Sequence, residues 1–108
     1  MAMADEKGWE VEREGRVYGL HVILLKREYV LPWAQFLYAE GTNEEVEAFF
    51  STHDVVIRGT ELSLLLTDIA SERVTVLREP ARVGKFDGGV GPRITELEVR
   101  RMEADGLG

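Results

Sequence analysis

Between Arg16 and Leu25 the apolar side chains occupy both faces of an extended chain. Tyr18, Leu20, Val22 and Leu24 share one face, and Val17 and Ile23 point to the other. A strand apolar on both sides belongs in the middle of a sheet or between two layers. Lys26-Arg27-Glu28 then forms a polar turn that leads the chain back.

The next segment, Tyr29 to Glu40, fits two templates. As a strand it places Tyr29, Leu31, Trp33, Leu37 and Ala39 on one side. As a short helix it starts at Pro32, turns Trp33, Phe36 and Leu37 to the core and ends at Gly41. The aromatic content and the turn-forming Gly41-Thr42-Asn43 favour the strand, with Pro32 at a sheet edge or bulge.

From Glu45 to Phe50 the chain alternates, with Val46, Ala48 and Phe50 inward and Glu45 and Glu47 outward. Val55-Val56-Ile57 continues as strand after a bend near His53-Asp54. A helix is predicted over Glu61–Glu72, where Leu62, Leu65, Leu66 and Ile69 form one apolar stripe. Thr60 is placed to cap it, Glu61 suits the positive end of its dipole, and Gly59 allows the turn from strand into helix. Val74 to Glu79 reads as a short strand closed by Pro80. Residues 81–92, with four glycines, read as a flexible loop, and Ile94 to Met102 as a final strand.

The predicted order is β-β-β-α-β-β. It describes an α+β domain, predominantly antiparallel, built as a small bent sheet or partial barrel under one principal helix at about 60–72. Residues 1–15 read as a mobile charged lead-in, 16–102 as one globular domain, and 103–108 as a frayed tail.

Charge narrows the functional classes. The chain has 20 acidic and 13 basic residues, a net charge of -7. That balance opposes generic contact with phosphate backbones. With no cysteine there is no disulfide, thiolate metal site or cysteine nucleophile, which favours a cytoplasmic setting. No signal peptide is recognisable in the charged stretch Met1–Gly15. The densest apolar run, Val17 to Leu25, is far short of the ~20 residues of a membrane span.

Few residues suggest chemistry. His21 and His53 have no second ligand at helical spacing, so no metal or cofactor site is assigned. Ser51, His53 and Asp54 have the composition of a triad, but on a strand Asp54 points away from the other two. Gly89-Val90-Gly91 runs into Pro92 and lacks the third glycine or the Lys-Ser/Thr pair of a phosphate loop. Glu40, Glu44, Glu45 and Glu47 gather around a predicted turn, as either a solvated charge run or an acid pair. No catalytic residue is assigned. Trp33, Phe36, Tyr38, Phe49 and Phe50 supply the aromatic mass, and Phe49 and Phe50 face opposite sides of a strand. Apolar residues on both faces of a thin domain point to self-association.

The string Val55-Val56-Ile57-Arg58-Gly59 is similar to the second Sm motif, an apolar strand followed by a basic residue and glycine. The hairpin before it, Leu20 to Leu25 and Tyr29 to Leu37, resembles the early strands of an Sm-like small barrel. Together the likeness covers about residues 19–59. It lacks the Asn-bearing first motif of RNA-binding members, and a helix follows Arg58-Gly59 where that family has a last short strand. The resemblance implies a strongly bent sheet, ring or dimer assembly, and Arg58 and Gly59 as ligand-loop residues.

The leading expectation is a non-catalytic, self-associating interaction module, a homo-oligomer without a membrane partner. One alternative is RNA or other nucleic-acid binding through an Sm-like surface at Arg58 and Gly59. Another is a small-molecule binder or enzyme that uses His53 and the nearby carboxylates.

Overall fold

The structure is a computed structural model, and it describes residues 7–81 and 91–101. Its strands are β1 (Trp9–Val11), β2 (Gly19–Ile23), β3 (Glu28–Pro32), β4 (Phe36–Gly41), β5 (Glu45–Phe50), β6 (His53–Thr60), β7 (Val74–Arg78) and β8 (Arg93–Arg101). One helix, α1 (Ser63–Ala70), lies between β6 and β7. The strands form two four-stranded sheets, ordered β1-β7-β2-β3 and β4-β5-β6-β8, and not a closed barrel. All described pairings are antiparallel except β2 with β7, where Val22 lies opposite Leu77. The α+β, mainly antiparallel class predicted from the sequence is thus the class observed.

The two sheets share one core, which takes one face of each strand: Leu20 and Val22 of β2 are buried in it, while Ile23 is half-buried on the other face. Leu20, Val22, Leu31 and Leu77 of the first sheet and Val46, Ala48, Phe50, Val55, Ile57 and Leu97 of the second are all buried in it. Each of these side chains other than Ala48 contributes roughly 1.5–3 kcal/mol. Leu62, Leu65 and Ile69 of α1 join the same core, and Leu66 packs against it. An eight-residue helix is well below the ~12–15 residues at which isolated helices are even marginal, so this packing sustains it.

Four local expectations need correction. The charged lead-in is not wholly outside the fold: Trp9–Val11 is strand β1, and Trp9 is a buried core residue. Its indole N–H donates to Asp68 Oδ2 of α1 at 3.0 Å. Among charged neighbours, Trp9 and Val11 alone carry the period-two signal, which is too short to read as a strand. Residues 1–6 and 102–108 and the glycine-rich stretch 82–90 lie outside the described residues.

The segment 29–40 is neither one strand nor a helix. β3 ends at Pro32 on the edge of the first sheet, and a 3-10 turn, Trp33–Gln35, carries the chain to β4 of the second. Trp33 anchors this corner. Its indole N–H donates to the Val74 carbonyl at 3.1 Å, and its ring packs against Phe36 and Phe50 with centroids 5.1 and 5.5 Å away.

The helix starts later than predicted, and Thr60 does not cap it. Thr60 closes β6, and its hydroxyl donates to the Gly91 carbonyl at 2.8 Å. Glu61 takes φ +50° to turn the chain into α1. The cap comes instead from the β4–β5 turn. Asn43 accepts the Leu62 N–H on its carbonyl at 2.9 Å and the Ser63 N–H on Oδ1 at 3.1 Å.

Gly59 is not the hinge between strand and helix. It sits inside β6 at an irregularity of the β6–β8 ladder, where a Cβ would overlap the Arg93 carbonyl.

Candidate functional site

The residues singled out in the sequence fall in separate places. His21 lies on the outer face of the first sheet, and its Nε2 meets Glu28 Oε1 at 2.7 Å. His53 starts β6. Its ring meets the edge of Tyr29, with centroids 5.4 Å apart, and its Nδ1 bonds the Thr52 hydroxyl at 2.8 Å. Ser51 donates to Gln35 Oε1 at 2.9 Å. Asp54 lies opposite Phe49 and Arg100, and its Oδ1 is shut from solvent without a hydrogen-bond partner. No serine–histidine–carboxylate relay joins these groups.

Arg58 is enclosed by acids. On the outer face of the second sheet it stands opposite Glu45 and Glu96, 3.4 and 3.5 Å from their carboxylates. The next row sets Glu40, Glu47, Val56 and Glu98 side by side. The row beyond ends in Arg100, whose pKa is raised by the hydrogen bond and charge of Glu98. This face is acidic, and its arginines are engaged internally. Glu40, Glu45 and Glu47 border a shallow hollow of about 140 Å³ with Gly41 and Thr42. Among the described residues, no three His, Asp or Glu side chains are grouped to hold a metal ion.

Two features emerge only in three dimensions. The first is the corner between the sheets. On either side of the 3-10 turn, Val30 of β3 is 69 % exposed and Leu37 of β4 is 59 % exposed. Beside Leu37, Tyr38 stacks on Phe49 with centroids 4.6 Å apart. From Tyr29 to Ala39 there are eleven consecutive residues without a charge, in a chain that is 31 % charged.

The second is a groove of about 510 Å³ bounded by residues 15–18, the start of the 3-10 turn and residues 71–73. Arg73 Nη1 fixes one wall by donating to the carbonyls of Glu12 and Gly15 at 3.1 and 3.0 Å. Arg16 lies over the ring of Tyr18, 5.8 Å from its centroid, and Tyr18 is 75 % exposed. Glu72 lines the groove with φ +55°, at the end of α1 where glycine is the usual residue. The three segments are too distant in sequence for their pattern to reveal the groove. The period-two pattern sets Tyr18 on one face with Leu20 and Val22, which are buried, whereas Tyr18 is exposed.

No helix among the described residues is long and apolar enough to cross a membrane. Comparison with protein-family models, curated proteins and solved structures gave no match.

Proposed function

We propose that this domain is a non-catalytic interaction module that associates with a second copy of itself through the β3–β4 corner. The observation that carries this reading is the charge-free run Tyr29–Ala39, with Val30 and Leu37 held out to solvent on the edge strands of the two sheets, either side of the 3-10 turn. Large apolar groups held out to solvent on the two strands that flank one turn give a contact surface its apolar anchors. Two acidic copies repel one another, and the outer face of the second sheet carries Glu40, Glu45, Glu47, Glu96 and Glu98 against Arg58 and Arg100. An uncharged corner is where a two-fold contact meets least repulsion, and both copies present the same patch.

The buried aromatic cluster behind the corner supports the reading. Trp33, Phe36 and Phe50 hold the turn in one conformation, so little order has to be gained on association. A sedimentation-velocity series from micromolar to millimolar chain tests it. A reversible rise in sedimentation coefficient with concentration, strengthened by added salt as the repulsion between acidic copies is screened, is expected. A single monomer species at every concentration refutes it.

A further inference from the structure

We propose that the groove between residues 15–18, the 3-10 corner and residues 71–73 binds a nucleoside monophosphate, with Tyr18 against the base and Arg16 and Arg73 on the phosphate. This goes beyond the self-association reading and does not depend on it.

Three chemical features meet there. Tyr18 offers a phenol ring that is three-quarters exposed, a surface on which a heteroaromatic ring stacks regardless of its identity. Arg16 borders that ring and makes no ion pair among the described residues, so its guanidinium is available to an anion. Arg73 is pre-organised. Its Nη1 is committed to two backbone carbonyls, while its Nε and Nη2 make no hydrogen bond among the described residues. Two guanidinium groups beside an aromatic ring suit a planar ligand that carries a phosphate.

Glu72 supplies the acceptor such a ligand also needs, for a ribose hydroxyl or an exocyclic amine. It occupies a left-handed backbone position that glycine would fill with less strain. That backbone position closes α1, where the Glu72 N–H donates to the Ile69 carbonyl and the Arg73 N–H to the Asp68 carbonyl, and it turns the Glu72 side chain onto the groove wall. The volume, about 510 Å³, lies within the range of small-molecule sites. A polyanion such as RNA suits the surface less well. The chain carries a net charge of -7, and the groove has only two arginines to set against it.

The test is a titration of the full, isotope-labelled chain with AMP, followed by amide NMR shifts, with adenosine and inorganic phosphate as parallel probes. Saturable shifts confined to residues 15–18, 33–34 and 71–73 are expected, with AMP bound more tightly than either fragment. Arg16→Ala and Tyr18→Ala should each weaken AMP binding by roughly tenfold, and Tyr18→Phe should retain it. Glu72→Gly should raise the melting temperature and yet weaken AMP, a combination that a purely structural role does not produce. Absence of saturable shifts with millimolar AMP overturns the proposal. So does inorganic phosphate binding as tightly as AMP, or tight binding that survives both Arg16→Ala and Tyr18→Ala.

Discussion

Asn43, in the turn between β4 and β5, caps a helix that begins twenty residues later: its Oδ1 accepts the Ser63 N–H at 3.1 Å. No side chain next to α1 performs that task. Asn43→Ala should therefore lower stability by about 0.5–2 kcal/mol, and Asn43→Asp should retain most of it. Urea unfolding followed by tryptophan fluorescence measures both.

The bond from Trp9 to Asp68 predicts that the N-terminal strand belongs to the cooperative unit. Trp9→Phe keeps a ring in the core but leaves the half-buried Asp68 carboxylate without that donor, at a cost of about 1–3 kcal/mol. Removing residues 1–11 should cost more, because a fully buried indole leaves the core. A truncated chain with the unfolding midpoint of the full one would show β1 to be dispensable.

The sequence announces elements whose pattern is set by one buried face. β5 alternates because Val46, Ala48 and Phe50 are buried while Glu45 and Glu47 are not wholly so. The stripe Leu62, Leu65, Ile69 predicts α1 because those three side chains enter the shared core. What stays hidden are features made by distant segments. The 3-10 corner hides because Trp33 is held by the Val74 carbonyl, 41 residues on, and no neighbour in sequence signals that bond. The helix cap hides because Asn43 comes from another hairpin. The groove hides because Arg16, Trp33 and Arg73 flank β2, β3 and β7, which come together only in the first sheet. The failure of Ser51, His53 and Asp54 to form a triad is legible in the sequence, because neighbours on a strand point to opposite faces.

Gly59 is required for space rather than for turning. A Cβ there overlaps the Arg93 carbonyl at the irregularity between β6 and β8, and backbone has little room to yield. Gly59→Ala is expected to destabilise by about 1–3 kcal/mol, as overpacking does elsewhere. Thermal unfolding followed by circular dichroism reads this out, and a midpoint unchanged within error would contradict it.

Arg58 holds two carboxylates on a solvent-facing surface, and such pairs are worth little. Arg58→Ala should change stability by less than about 1 kcal/mol. Short single-stranded RNA should not bind the unsubstituted chain even at low salt, as judged by fluorescence anisotropy. Salt-dependent RNA affinity that falls in Arg58→Ala would instead favour the Sm-like surface.

Association through the β3–β4 corner is the central claim, and light scattering of the chain beside a Val30→Glu, Leu37→Glu double variant tests it most directly. Both side chains are largely exposed, so the substitutions leave the core intact. The predicted result is a concentration-dependent mass that reaches two chains for the natural sequence and stays at one chain for the variant, with both equally folded. Equal masses for the two proteins, whether monomeric or assembled, would contradict it.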